Sequence, residues 1–122
     1  QLHQHQRWHN DAKTGFLTGF DGRVLDVNGG AATQGTKLIL WPKKAADNLN
    51  QQWDFKDGHF ISRMNTKFVI DINGGTYANG TGLILWPPHG GPNQKWDMDQ
   101  YGFIRSRGNA AFCIDVQGGA IP

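Results

Sequence analysis

A seven-residue segment occurs three times in this chain, and this recurrence restricts the fold more than any other feature. The copies read VLDVNGG at 24–30, VIDINGG at 69–75 and CIDVQGG at 113–119. Asp71 follows Asp26 by 45 positions, and Asp115 follows Asp71 by 44 positions. A fixed period of this length is typical of proteins built from repeated supersecondary units, so the sequence predicts three similar lobes.

A Gln-x-Trp triplet has the same period and occurs at 6–8, 51–53 and 94–96, whereas LILWP occurs only at 38–42 and 83–87. The intervening apolar runs are bounded by Gly, Asp and Asn and are too short for helices, which favours strands. Asp57-Gly58 is a hairpin-turn signal, and 47–50 is expected to form one helical turn. The predicted strands lie at 23–27, 37–41, 59–62, 68–72, 82–86, 103–105 and 112–116.

These patterns predict an all-β protein with roughly four strands in each repeat. Closing the repeats on one another would leave few free sheet edges. The Trp of each Gln-x-Trp triplet and alternating aliphatic side chains should point inward. The predicted core contains Leu25, Leu38, Leu40, Trp53, Phe60, Ile70, Leu83, Leu85, Trp96, Phe103 and Ile114.

Length and composition narrow the function classes. A chain of 122 residues is expected to form a single domain, 1–122. The formal net charge of +2, from 12 basic and 10 acidic residues, argues against a nucleic-acid partner. No apolar run is long enough to predict membrane insertion, and no signal peptide is apparent. A secreted or cell-surface location is favoured, but with one cysteine there is no disulfide within the chain to indicate the compartment, so a cytoplasmic location stays open.

The Gln-x-Trp triplets, the Asp-containing turns and the LILWP motifs together resemble the ricin B-type lectin repeat over essentially the whole chain. That resemblance implies a β-trefoil with pseudo-threefold symmetry. The order of motifs is rotated, so the repeats are expected at about 16–53, 60–96 and 103–122 plus 1–8. The third repeat is about ten residues shorter than the others. We therefore expect it to lack the LILWP strand, with a longer native chain or a neighbouring chain supplying that strand.

The resemblance also implies two sugar sites. In each, an Asp accepts hydrogen bonds from sugar hydroxyls, a Trp covers the apolar face of the sugar, an Asn donates its amide, and the Asn-Gly turn closes the pocket. These roles fall on Asp26, Asn28, Gly29, Trp41, Asn50 and Gln51 in repeat one. They fall on Asp71, Asn73, Gly74, Trp86, Asn93 and Gln94 in repeat two. Ile39 and Ile84 stand where many family sites carry Gln.

A weaker third site is implied at Asp115, Gln117 and Gly118, where His5 replaces Asn and no Trp is present. Each motif also has a structural explanation that stays open. The three Asp residues could cap their turns, and Trp41 and Trp86 could fill the interior. The histidines near the start are expected to belong to a frayed terminus, with no metal site. Cys113 is expected to be a small buried residue, although a disulfide partner in a longer chain stays open.

Catalysis has little support, because no nucleophile or metal motif is present and the carboxylates lie in separate repeats. We therefore expect no enzyme and no cofactor. The predicted function is multivalent binding of glycans of the galactose or N-acetylgalactosamine type. Two alternatives stay open: a glycan-targeting module of a larger enzyme or toxin, and a trefoil protein-interaction or inhibitor module without sugar binding. A homo-oligomer stays open as well.

Overall fold

The strands of the computed structural model, which describes residues 4–115 and 119–121, follow the sequence repeat. Short 3₁₀ turns lie between them, at Gln4–Gln6, Asn28–Gly30, Leu49–Gln51, Asn73–Gly75 and Pro92–Gln94. The strands are β1 (Trp8–Asn10), β2 (Leu17–Gly19), β3 (Val24–Val27), β4 (Leu38–Trp41), β5 (Trp53–Lys56), β6 (His59–Ser62), β7 (Val69–Ile72), β8 (Thr81–Trp86), β9 (Trp96–Met98), β10 (Ile104–Ser106), β11 (Cys113–Ile114) and β12 (Gly119–Ile121).

All strand pairs within a sheet are antiparallel. One sheet has the order β1-β2-β3-β4, and the second has the order β5-β6-β7-β8-β12-β11-β10-β9. The second sheet is two four-stranded units of the same kind, joined where Gly119 pairs with Gly82 and Ala120 with Thr81. Three equivalent four-stranded units packed around a common core form the β-trefoil that the sequence predicts. In the described residues, no helix is long and apolar enough to cross a membrane.

The turns follow from the residues that the sequence places there. Asp57 and Gly58 both have positive φ, at 52° and 81°, which suits the tight turn between β5 and β6. Gly29 and Gly30 have φ of 68° and 64° in the turn after β3. Residues with a Cβ rarely adopt that conformation, which explains the Asn-Gly-Gly sequence of each such turn.

The interior of the trefoil is formed by the residues that recur in each repeat. Trp53 and Trp96 are completely buried, and Trp8 is nearly so. Trp8, Trp53 and Trp96 donate their indole N–H groups to backbone carbonyls of β11, β3 and β7, respectively. Of the predicted core residues, only Leu40 departs, because it is partly buried at the edge of the core. Cys113 is buried and unpaired within the described chain.

The two ends of the described chain meet in one lobe. Arg7 pairs with Phe103 in the same way that Gln52 pairs with Phe16. The indole of Trp8 donates to Ile114, and Gln6 is 1% exposed. The first residues thus complete the backbone pairing of the lobe to which β10 and β11 belong.

Our expectation that the third repeat lacks a strand is wrong for the described backbone. Strand β12 pairs with β11, with Ile121 opposite Cys113 and Ala120 opposite Ile114. It therefore occupies the place that β4 occupies beside β3. Val24 and its partner Trp41 are 17 positions apart, whereas Cys113 and its partner Ile121 are 8 positions apart, so this repeat is shorter in the connection between the two strands and not in the strand itself. The expected helical turn at 47–50 is a 3₁₀ turn at Leu49–Gln51.

Candidate functional site

In the second lobe, the end of β7 holds a carboxylate at the floor of an open cavity of about 410 Å³. Asp71 is the third residue of β7 and is 3% exposed. Its Oδ1 accepts the side-chain amide of Asn93 at 3.2 Å, and its Oδ2 accepts that of Gln94 at 2.7 Å. Asn73, Gly74 and Trp86 also line the cavity. The second lobe therefore brings the predicted Asp, Asn, Gly and Trp residues together.

The first lobe repeats this arrangement around a cavity of about 300 Å³. Asp26, which is 4% exposed, accepts the amide of Asn50 at 3.1 Å and that of Gln51 at 2.9 Å. Asn50 also donates to the carbonyl of Val27 at 3.3 Å. The cavity is lined further by Asn28, Gly29 and Trp41. Two separate stretches of sequence thus build the same constellation.

Gln51 and Gln94 lie behind the carboxylates and do not line either cavity. Both are completely buried. Gln94 divides its amide between Asp71 and the carbonyl of Pro87, and its Oε1 accepts the backbone amide of His89. Gln51 makes the equivalent bonds in lobe one. We conclude that the glutamine fixes the carboxylate and the loop after the Trp-Pro dipeptide, without reaching a ligand itself.

The two tryptophans are not equally open. Trp41 is 52% exposed, whereas Trp86 is partly buried. The difference arises because the loop of lobe one crosses β8. Thr36 accepts a hydrogen bond from the amide of Leu85, and Gly35 donates to the carbonyl of Leu85. A Cβ placed on Gly35 would lie 3.9 Å from the Trp86 ring, so this loop also supports the indole.

Two residues that line the cavities were missed from the sequence. Lys44 and His89 stand at the same place in their lobes, three residues after the Trp. Lys44 Nζ donates to Asn50 Oδ1 at 2.7 Å, and His89 Nε2 lies 3.6 Å from Asp71 Oδ2. Both residues follow a Trp-Pro dipeptide at the same distance, which could have identified them. Because one is Lys and the other is His, the repeat did not show that they are equivalent. Each lobe therefore adds a different basic group to an otherwise similar site.

The electrostatics of the second cavity are set by burial and by these neighbours. Burial raises the pKa of Asp71 above its usual value of 3.8. The hydrogen bonds from Gln94 and Asn93 and the charge of His89 act in the opposite direction. Ile84 forms part of the wall, where it brings apolar surface to the cavity. The result is a hydrogen-bonded acceptor beside an aromatic ring in an open, partly apolar pocket.

The third lobe retains the buried parts of the arrangement. Asp115 is 3% exposed and Gln6 is 1% exposed, as their counterparts are in the other lobes. The register position opposite Cys113 holds Ile121, where the other two lobes place Trp41 and Trp86 opposite Val24 and Val69. The expected contributions of Gln117 and Gly118 lie outside the described residues. In the described part of the chain, no three side chains of His, Cys, Asp or Glu converge as metal ligands.

Comparison with known proteins assigns the sequence to one family. The family profile described as ricin-type β-trefoil lectin domain-like matches residues 49–121. Mucoricin from Rhizopus delemar is 49% identical over 87 residues, which are 70% of this chain and 59% of Mucoricin. Volkensin from Adenia volkensii is 42% identical over 43 residues, which are 35% of this chain and 8% of Volkensin. The alignments thus span little more than half of one curated relative and a small part of the other.

Among solved structures, the C-half of the earthworm R-type lectin in complex with GalNAc superposes with a TM-score of 0.62. It is 26% identical, and the match covers 81% of this chain and 76% of that chain.

Proposed function

This chain belongs to the ricin-type β-trefoil lectin domain family, and we propose that it binds galactose-type sugars at the cavities of lobes one and two. The observation that carries the proposal is the buried carboxylate in each cavity, held by two side-chain amides beside a tryptophan. A monosaccharide presents hydroxyl donors on its rim and an apolar face of C–H groups. The cavities offer a complementary surface for both features.

The carboxylate retains the capacity to bind a sugar. Each oxygen of Asp71 accepts one amide hydrogen bond from the protein, whereas an ionised carboxylate can accept about four in all. Two adjacent sugar hydroxyls could use the remaining lone pairs. Hydrogen bonds to an ionised acceptor are roughly twice as strong as neutral ones, which makes this group the main polar anchor. The same reasoning applies to Asp26.

The galactose class is favoured by the expected pose. An axial and an equatorial hydroxyl on neighbouring carbons suit the two oxygens of one carboxylate, while the opposite face of the ring lies against the indole. The GalNAc complex of the earthworm lectin supports this choice of sugar class. Shallow sites of this kind should bind with Kd of about 0.1–1 mM. Two linked sites would then increase the avidity for a glycan-bearing surface by about 10² or more.

A role as the targeting module of a larger protein is a second candidate. It is favoured by the partial alignments, because the matched segment covers 59% of Mucoricin and 8% of Volkensin. In that case the sugar sites would work as described, and another part of the protein would carry its activity. The mass of the protein isolated from its native source would distinguish the two arrangements.

The central experiment removes the aromatic platforms. We expect Trp41→Ala and Trp86→Ala each to eliminate one of two GalNAc sites in a calorimetric titration, and the double variant to eliminate both. Tyr101→Ala is the matched control, because Tyr101 is 61% exposed and lines neither cavity. Binding of GalNAc by the double variant with the affinity of the unmodified protein would refute the proposed sites. A glycan array with terminal glucose and mannose in parallel tests the preference for galactose.

A further inference from the structure

One inter-lobe junction differs from the two others in a way that opens a separate cavity. Strand register makes three residues equivalent, because each follows the partner of the Gln-x-Trp tryptophan. These residues are Phe20 in lobe one, Arg63 in lobe two and Arg107 in lobe three. The residue after each tryptophan is likewise equivalent, and these are His9, Asp54 and Asp97.

In lobes two and three these positions form an ion pair that closes the junction with the preceding lobe. Arg63 binds Asp54 at 2.8 Å, and Arg107 binds Asp97 at 2.9 Å. Arg63 also donates to the carbonyls of Ala12 at 2.8 Å and Lys13 at 3.2 Å, which belong to the preceding lobe. The arginine therefore fills the space over the junction and cancels the charge there.

The first lobe has Phe20 and His9 at these positions, and no such pair can form. A cavity of about 290 Å³ lies there, lined by Arg7, His9, Thr18, Phe20 and Lys43 among others. Phe20 is 50% exposed. The space that an arginine side chain fills at the other junctions is thus open and bordered by an aromatic ring.

Among the described residues, the lining of this cavity carries basic groups and no acidic group. Arg7 lies 5.4 Å from the ring centre of Phe103, and Lys43 lies 5.5 Å from that of Phe16. Within the described residues, neither cation forms an ion pair. An anion entering the cavity would therefore meet two cations that form no ion pair with a carboxylate in the described part of the chain.

Asp11 and Asp21, which lie close in sequence to the lining residues His9 and Phe20, bind other groups. Asp11 Oδ1 accepts the backbone amides of Lys13 and Thr14. Asp21 binds Arg23 at 2.8 Å. Neither carboxylate lines the cavity, although the charge of His9 is close enough to influence Asp11. Arg7 and Lys43 therefore give the cavity a positive potential.

We propose that this junction is a second kind of sugar site, which binds a saccharide bearing a sulfate or carboxylate group. The anionic oxygens would accept hydrogen bonds from Arg7 and Lys43, and the sugar ring would lie against Phe20. This chemistry differs from that of the Asp–Trp cavities, where a carboxylate accepts hydrogen bonds from neutral hydroxyls. The site would add anionic glycans to the range of ligands that the chain recognises.

The test uses the Trp41→Ala/Trp86→Ala protein, so that its outcome is independent of the galactose sites. Galactose 6-sulfate, sialyllactose, galactose and inorganic sulfate are titrated separately while backbone amide shifts are recorded. We expect either charged sugar to shift the amides of His9, Phe20 and Lys43, with saturation at concentrations at least about tenfold below those needed for galactose or sulfate. Equal responses to galactose 6-sulfate and inorganic sulfate would overturn the saccharide assignment, since an adventitious ion would explain them.

Two variants taken from the chain's own repeats provide the controls. His9→Asp/Phe20→Arg installs the ion pair of lobes two and three and should abolish binding of the charged sugars. Arg7→Gln introduces the residue found at the equivalent position, Gln52, and should weaken binding about threefold, which keeps the test decisive if the double substitution fails to fold. Unchanged binding in a folded His9→Asp/Phe20→Arg protein, or a response to phosphatidylserine vesicles without any response to the sugars, would refute the proposal.

Discussion

The indole of Trp8 donates to the carbonyl of Ile114 at 2.9 Å, across 106 positions of sequence. The equivalent bonds of Trp53 to Leu25 and of Trp96 to Ile70 measure 3.1 Å and 3.3 Å, but each joins residues of one continuous repeat. Trp8 alone among the three joins residues near opposite ends of the chain. The bond of Trp8 therefore joins the two parts of the third lobe, in the same way that the bonds of Trp53 and Trp96 join the two ends of lobes one and two.

Loss of this closing bond should destabilise the whole domain. Trp8→Phe retains an aromatic ring but removes the donor, which leaves the buried carbonyl of Ile114 without its partner. We expect the free energy of unfolding to fall by about 1–3 kcal/mol. Urea denaturation followed by circular dichroism measures the change. Trp41→Phe, at a position 52% exposed, is the control and should change stability by less than about 0.5 kcal/mol.

Gln94 should affect both stability and binding. Gln94→Ala removes the partner of Asp71 Oδ2 and of the Pro87 carbonyl, so a buried carboxylate loses a hydrogen bond. We expect a loss of about 2–4 kcal/mol in the free energy of unfolding and no measurable GalNAc binding in lobe two. The exposed Gln100→Ala should leave both quantities unchanged. A stable Gln94→Ala protein with normal binding would show that Asp71 does not need the Gln94 amide.

GalNAc binding in lobe two should be lost at a higher pH than the usual pKa of an aspartate would predict. The pKa of Asp71 is raised, mainly by burial, and only the ionised form accepts two hydroxyl hydrogen bonds. Binding is therefore complete above the raised pKa and is lost as the pH falls through it. A Trp41→Ala protein, which isolates lobe two, allows GalNAc affinity to be measured across this range.

His89→Ala should raise the pH below which GalNAc binding in lobe two is lost. The charge of His89 lowers the pKa of Asp71, so its removal lets burial raise the pKa further. Binding in lobe two should then fail at a higher pH than in the parent Trp41→Ala protein. Lys44→Ala, the counterpart in lobe one, should leave the pH profile of lobe two unchanged. A downward movement of the limit in His89→Ala would contradict the electrostatic account.

Gly35 allows a substitution in one lobe to be detected in the other. Its φ is 87°, and its amide donates to Leu85 beside the Trp86 ring. Gly35→Val forces a β-branched residue into a conformation that costs about 1–3 kcal/mol, and the loop should leave β8. We expect weaker GalNAc binding in lobe two with lobe one unaffected. Gly22→Val is the control: Gly22 has the same φ of 87°, but a Cβ placed there would meet no atom within 4 Å.

The repeat made much of the fold predictable. Seven strands were expected from short apolar runs, and β3, β4, β6, β7, β8, β10 and β11 lie at those places within one or two residues. Strands β1, β5 and β9, which begin with the Gln-x-Trp tryptophans, were missed together with β2, because segments of three or four residues with one or two apolar side chains give no periodic signal. Strand β12 was missed for a similar reason, since Gly119–Ile121 resembles neither LILWP segment.

The site was only partly predictable from sequence. Asp71 and Trp86 could be predicted because both types recur at the same spacing in lobe one, and Asn93 because it directly precedes its Gln-x-Trp triplet as Asn50 does. Lys44 and His89 could not, because only the folded loop shows that two different residue types occupy one place. The unequal exposure of the two tryptophans depends on a loop from a neighbouring lobe, and such a contact leaves no local trace in the sequence.

The buried glutamines hold both the carboxylate and the loop after Trp-Pro, and this affects how the sequences of related chains are interpreted. Since Gln51 and Gln94 hold the repeat together as well as the carboxylate, a lobe that has lost its ligand would still be selected to keep them, and the aspartate with them. The presence of Gln-x-Trp and Asp in a related chain therefore indicates only that the trefoil is intact. Whether a lobe can bind a sugar must be judged from the Trp and Asn side chains that line its cavity. The third lobe illustrates this distinction, because it keeps the buried Asp115 and Gln6 while Ile121 stands at the register position of Trp41 and Trp86.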